Sequence, residues 1–366
     1  MPPRFPLLRL PYLPRKTVVK HLKPMQILLF CLSSERCRSL VHECSVRVVN
    51  LTLALSYVIK ISLTFPIRSS SASSSNDSTI EVILEPVVPE EWKRRKQSGR
   101  FSHAPIEQME ALIRKESEKS VKLMFCQHIS ESKERMCQQA MNYFYRNFRI
   151  EEGFLNVWRE RVNSFPISPF AERNHRRLKR VQYRSLRLTP SIEPDEYHLF
   201  QLLPVEKFEV DCRMPSEYRI QTPLHHRNMS ILNATWLTFG SMLRMDCVTF
   251  TAEDVPFRSI EVHRFVIAWY QGSFANLESL TLHKAGGIFD SEVILRELPV
   301  ARWHGVSRPR YHGEIDCAEG RDLRRSKDGR LASVICNEST FTLVVWHPKH
   351  LTTSHRPHPN PALQMQ

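Results

Sequence analysis

The sequence predicts an α+β fold in which a helical N-terminal unit is followed by mixed strands and helices, and then by a stack of short strands closed by a β hairpin. Three observations carry that prediction. Apolar residues recur at helical spacing between residues 17 and 41, and β-branched and apolar residues alternate at period two over 48–67 and 78–86. An Asp328-Gly329 dipeptide then lies between two strand-like arms near the C-terminal end. At 366 residues the chain is long enough for two or three packed units, and its 42% hydrophobic and 25% charged composition is that of a globular protein.

Residues 1–47 read as short helices. Thr17 is placed to cap a turn carrying Val18, Val19 and Leu22, and Pro24 stands at a first helical position before Met25, Ile27, Leu28, Leu29 and Leu32. That second helix is apolar almost all round and must be sandwiched. Ser34 and Glu35 open a third helix with Cys37, Leu40 and Val41 on one face. About forty residues of helix cannot bury so much apolar surface alone, so this unit should lean on a neighbouring domain or a partner chain.

Residues 48–170 read as strands plus helices. The stretch 48–67 is long enough to test as a membrane span, but Lys60 lies inside it and Asn50, Ser56 and Ser62 interrupt it, so two buried strands fit better. A polar loop follows at 69–78, then a strand alternating Ile80, Val82 and Leu84 and ending at Pro86. Residues 92–100 read as a basic connector. Pro105 opens a helical pattern with Met109, Leu112 and Ile113 on one side, and a second helix from about Glu131 carries Met136, Met141, Phe144 and Phe148.

Residues 171–187 are strongly basic and mark the entrance to a second half, 171–300, with strand candidates at 184–188, 207–211, 243–248 and 277–282. Their irregular spacing, each strand preceded by a helix or return loop, is that of a leucine-rich-repeat-like α/β stack. Between the last two strands Ser259 is placed to cap a helix with Val262, Phe265, Val266 and Trp269 on its apolar face, and Gly272 supplies the stop. In 301–346 the Asp-Gly pair predicts a tight hairpin within an antiparallel meander, with a third arm at 341–346. The Pro-rich polar tail, 347–366, is expected to be disordered.

Composition excludes several functions. Only 10 Gly and no P-loop, GxGxxG, HExxH, GxSxG or kinase signature argue against nucleotide enzymes and the common hydrolases, so no catalytic residue and no cofactor is expected. The nine cysteines are scattered with no CxxC pair, and prolines 2, 3, 6, 11 and 14 break any signal-peptide helix, which together point to a reduced cytoplasmic or nuclear compartment. Five Asn-x-Ser/Thr triplets then carry no weight. Cys31, Cys37 and His42, the pair His225-His226 and the tail histidines lack the spacing that converges on a metal, so no metal site is expected. The net charge of +14, concentrated at 93–96 and 173–187, makes a basic nucleic-acid-associated protein the alternative reading, although solvated faces explain the clusters more simply. A third reading is membrane attachment through 48–67.

With these residues in view, segment 5–41 resembles an F-box of the nematode type. It has a Leu10-Pro11 start, a helix ending in Leu22, Pro24, an apolar helix, and a close formed by Ser34, Arg36, Leu40 and Val41. Farther on, 237–250 and 265–282, above all AWYQGSFANLESLTL, resemble the F-box-associated type 2 domain of the same Caenorhabditis proteins, and 320–346 is similar to their C-terminal hairpin. Pro14, Arg15 and Lys16 stand where many F-boxes carry acidic or helix-favouring residues, which shortens the expected first helix.

The resemblance implies a non-catalytic substrate receptor of an SCF-type ubiquitin ligase, docking on a Skp-type adaptor and through it a cullin, and recruiting a protein target through its C-terminal domain. By motif position, Leu10, Pro11, Val18, Val19, Leu22, Pro24, Ile27, Leu28, Leu32 and Leu40 would form the adaptor face and its supporting core. Neither membrane nor nucleic acid is an expected partner.

Overall fold

The computed structural model of the chain describes residues 10–56, 58–66, 78–98, 101–107, 109–126, 133–158, 167–185, 203, 205–212, 223–302, 311 and 315–347. The predicted loop residues 69–77, strand residues 186–188 and tail residues 348–366 lie outside these. The fold is α+β, and the chain divides into two compact units, 1–182 and 183–366.

The first unit opens with α1 (Tyr12–His21), α2 (Pro24–Ser33) and α3 (Glu35–Glu43). The antiparallel strands β1 (Arg47–Leu55), β2 (Ile59–Phe65) and β3 (Ser78–Val87) follow. Residues 48–65 are therefore two strands, as their alternation predicts, and Leu51, Leu53, Ile61, Leu63 and Val82 are all fully buried on one face. Lys60 points to the other face and pairs with Glu81 at 3.1 Å. Next come α4 (Pro89–Gln97), the hairpin β4 (Ser102–Ile106) and β5 (Met109–Lys115), and β6 (Ser120–Cys126), which returns parallel to β3. Then α5 (Lys133–Asn147) leads to β7 (Arg149–Trp158), parallel to β1, and α6 (Ile167–Asn174) leads to β8 (Arg180–Ser185). The strand order is β8-β7-β1-β2-β3-β6-β5-β4.

Three local expectations are corrected here. Residues 92–97 are not a connector but part of α4: Pro89 sits in the first turn with Glu90 and Glu91, and Arg94, Arg95 and Lys96 occupy the last, the charge order a helix dipole favours. Pro105 does not open a helix. Ala111, Leu112 and Ile113 are buried in succession, which a one-sided helix does not allow, and Pro105 is tolerated because β4 is an edge strand. Nor is α1 shortened or capped by Thr17. Pro14 lies in the first turn, where a missing N–H costs nothing, and the Thr17 hydroxyl donates to the Leu13 carbonyl inside the helix at 3.1 Å.

In the second unit β9 (Lys207–Cys212), β10 (Asn228–Ile231), β11 (Thr249–Val255) and β12 (Ser279–Lys284) run parallel in sequence order. Phe208, Met229, Phe250 and Leu280 share one register line, and the steps from 208 to 229 and from 229 to 250 are 21 residues each, against 30 from 250 to 280. All four are buried, as is the neighbouring line Val210, Ile231, Ala252 and Leu282. The candidate strand at 243–248 is overturned. Thr238 accepts from the Ser241 N–H at 3.1 Å to start the short α7 (Phe239–Met242), and the chain turns through Leu243 to Val248 before β11 begins.

Between β11 and β12, α8 (Ser259–Tyr270) buries Val262, Phe265, Val266 and Trp269 completely, and Gly272 follows at φ +107°. Its N-cap is Arg258 rather than Ser259, whose hydroxyl instead accepts from the Asp290 N–H ahead of α9 (Ser291–Ile294). The meander β13 (Ala301–Arg302), β14 (Arg321–Arg324), β15 (Leu331–Cys336) and β16 (Thr340–Val345) is antiparallel throughout, with β16 beside β12. The Asp328-Gly329 turn joins β14 to β15 as predicted, with Gly329 at φ +71°.

Candidate functional site

The site the sequence selects is the helical array α1–α3. Met25, Ile27, Leu28, Cys31 and Leu32 bury α2, and Cys37, Leu40 and Val41 bury one face of α3. The Ser34 hydroxyl accepts from the Cys37 N–H at 3.2 Å, so the predicted start of α3 is the observed one. The surface these helices need comes from their own unit, since α2 packs on α3, β3 and β4, and α3 packs on α5.

Polar links fix that arrangement. The Tyr143 hydroxyl donates to the Cys31 carbonyl at 3.0 Å and lies 3.4 Å from the Cys31 sulfur. Arg38 donates to the Pro105 carbonyl at 3.2 Å, with its guanidinium 5.1 Å from the centre of the Tyr143 ring. His42 Nδ1 lies 2.8 Å from the Arg146 carbonyl, which can only accept, so that nitrogen carries the proton. Burial pushes the Cys31 thiol up to about 11, which makes it an inert core group rather than a nucleophile.

The ten selected residues divide into two sets. Val19, Ile27, Leu28, Leu32 and Leu40 are buried and form core, whereas Leu10, Val18, Leu22 and Pro24 are half-buried and Pro11 is exposed. The structure adds two that motif position alone did not select, Tyr12 at 43% and Leu13 at 73% exposure, on the first turn of α1. Their signal was present in the sequence as apolar residues directly after the Leu-Pro pair. Leu10, Pro11, Tyr12 and Leu13 thus form one short apolar run at the start of the array.

At the other end of α1 a groove of about 850 Å³ runs between the α1–α2 turn, the start of β1, the β2 and β3 ends and the β5–β6 turn. Leu22, Pro24 and Ile27 reach it as well.

Four residues of the basic clusters pair with neighbouring carboxylates. Arg95 pairs with Glu85 at 3.3 Å and with Glu91, Lys96 with Glu110 at 2.8 Å, Arg173 with Glu134, and Lys179 with Glu152 at 3.3 Å. Arg177 donates to the Asn142 side-chain oxygen at 2.7 Å. Among the described residues no group of three His, Cys, Asp or Glu is placed to hold a metal, and no helix is long and apolar enough to cross a membrane.

No family model matches this chain, and no solved structure matches it either. An uncharacterized protein of Caenorhabditis elegans, F59B2.9, is 25% identical over 149 residues, covering 38% of this chain and 34% of that protein. The chain thus shares about a third of the length of this curated relative, and its detectable likeness is to a nematode protein.

Proposed function

We propose that the chain is a substrate receptor of an SCF-type ubiquitin ligase, in which α1–α3 act as an F-box that docks on a Skp-type adaptor and the second unit recruits a protein target. The observation that carries this reading is the apolar run from Leu10 to Leu13, exposed at Pro11, Tyr12 and Leu13, at the start of a helical array whose opposite face is already committed to its own unit. Exposed apolar side chains on a helix favour a protein interface. Leu10, Pro11, Val18, Leu22 and Pro24 would meet the adaptor, and Val19, Ile27, Leu28, Leu32 and Leu40 would hold the helices in register for it.

The parallel run β9–β12 supports a leucine-rich-repeat-like stack, an architecture that presents an extended surface to a target. The chain itself would carry no catalytic group, bind no cofactor and work in the cytoplasm or nucleus. Ubiquitin transfer would belong to other subunits, assembled through the cullin.

The test is a pull-down of the full chain with a purified nematode Skp-type adaptor, beside a Leu10→Asp/Leu13→Asp variant. Retention that persists as NaCl rises to about 0.5 M, where exposed ion pairs are screened, and that the variant loses while keeping its circular dichroism, is the expected result. Equal retention of the variant, or no retention of either chain, would overturn the reading. Retention by duplex DNA that collapses with salt would favour the nucleic-acid alternative.

A further inference from the structure

We infer that the groove in the first unit is a docking site for an acidic peptide segment anchored by large apolar side chains. Its floor is apolar: Met25, Phe65 and Ile80 are almost fully buried beneath it, and Leu22 and Leu29 are half-buried along it. Its charge is one-sided. Lys20 and Lys23 contribute from the α1–α2 turn, Arg47 from the start of β1, Lys115 from the end of β5 and Lys119 from the β5–β6 turn, while Glu118 is the one carboxylate among the described lining residues. Arg47 is held by Glu151 at 2.6 Å and so contributes less than the four lysines.

This arrangement selects the occupant. An apolar floor alone would accept any greasy segment, and a cationic surface alone any polyanion. Together they favour a ligand with both properties, because each misplaced charge costs more beside a low-dielectric floor than in open water. The lysines come from two separate turns, so they can meet carboxylates on both sides of an apolar anchor. A single-headed amphiphile such as a fatty acid would satisfy only one of those turns. The volume, about 850 Å³, accommodates two or three large side chains of a peptide rather than a whole folded domain.

The inference goes beyond the adaptor reading and does not depend on it. The adaptor reading is tested at Leu10 and Leu13, at the opposite end of α1, although Leu22 and Pro24, which would also meet the adaptor, and Ile27 line the groove as well. An acidic, apolar-anchored segment is one chemistry by which a target could be held by the first unit as well as the second.

The experiment pans a random peptide library on the immobilised full chain and measures the enriched peptides by fluorescence anisotropy. Enriched sequences should carry net negative charge and at least one Leu, Ile, Phe or Trp. A Lys115→Glu/Lys119→Glu variant changes two exposed positions, the last of β5 and one in the β5–β6 turn, and should keep its circular dichroism, yet bind those peptides about tenfold more weakly at low salt. Replacing the peptide's apolar anchors by Ser should abolish binding to the unaltered chain.

Enrichment of neutral or basic peptides would overturn the inference, as would acidic peptides that the double variant binds equally well. Polyglutamate or heparin binding as tightly as the enriched peptides would show a polyanion surface instead. Because Leu22 and Pro24 are shared, competition with the adaptor alone does not separate the two; loss of adaptor retention in the Lys115→Glu/Lys119→Glu variant would assign the groove to the adaptor interface and end the proposal of a separate site. Failure of the adaptor pull-down reads on Leu10 and Leu13, whereas failure here reads on Lys115 and Lys119, so the two outcomes are separable.

Discussion

The side chain of Arg325 is 2% exposed and is held by Asp328 through two bonds of 2.9 and 2.6 Å. Its guanidinium also lies 5.3 Å from the centre of the Trp269 ring, and Asp328 accepts in addition from the Arg330 N–H at 3.1 Å. The hydrogen bonds from Arg325 hold the Asp328 carboxyl down at about 2. A carboxyl whose folded value is depressed stabilises the fold above its unfolded value of about 4 and loses that contribution as pH falls toward 2. Asp328 itself is 37% exposed, so solvent screens part of this, and Asp328→Asn is expected to cost about 1 kcal/mol at pH 7 and to flatten acid unfolding between pH 4 and 2, as read by urea titrations across that range. A second residue with no freedom is Gly153. A Cβ there would overlap the Arg177 carbonyl oxygen and the Tyr145 hydroxyl, which donates to that same carbonyl across the strand. Gly153→Ala should destabilise by about 3 kcal/mol, seen as a lowered thermal midpoint, because one obstacle is backbone and cannot swing aside.

At the scale of elements, the N-terminal helices depend on what they pack against. The sequence already required a neighbour for so apolar an α2, and the structure supplies one from later in the same unit: Tyr143 on α5 and Pro105 on β4 both bond to the helices. A peptide of residues 10–47 is therefore expected to be unfolded in water, whereas a fragment of residues 1–182 should be helical and unfold cooperatively. Circular dichroism with thermal melting distinguishes the two, and a stable isolated 10–47 peptide would contradict the shared-core account. The same dependence explains the element-level errors of the sequence reading. Residues 105–113 were ambiguous because a short apolar run suits a helix or a buried strand, and only pairing of β5 with β4 and β6 decides between them. In α4 the helical signal was hidden by its charge, with Trp92 alone buried.

On the scale of the whole molecule, Cys31, Cys37, Cys44, Cys137, Cys247 and Cys317 are buried among the described residues, and Cys126 and Cys336 are partly buried. Burial pushes Cys31 and Cys336 up to about 11, Cys247 up to about 12, and Cys137 upward as well. A thiol kept neutral by folding stabilises the native state below its unfolded value of about 8.5, and that contribution is lost as pH rises toward the folded value. The thermal midpoint should accordingly fall between pH 8.5 and 10.5, by up to roughly 1.4 kcal/mol of stability per thiol per pH unit. A Cys247→Ala/Cys336→Ala variant should show a shallower fall, and an identical slope would exclude the thiols as its cause. The sequence by itself determined the features that rest on local periodicity and turn chemistry: the three N-terminal helices, the paired strands within 48–65, α5, the apolar face of α8 and the Asp328-Gly329 hairpin. Each is encoded by residues within a few positions of one another. Tertiary structure alone decided which apolar residues of α1 to α3 face inward, because Val19 and Val18 are adjacent and equivalent in composition until α3 and its neighbours cover one of them. It also decided the register line Phe208, Met229, Phe250 and Leu280, since parallel strands acquire their alignment from neighbours a full crossover away. The gathering of lysines from two distant turns over one apolar floor is of the same kind, because no spacing along the chain records how far apart two turns lie once the sheet between them has formed.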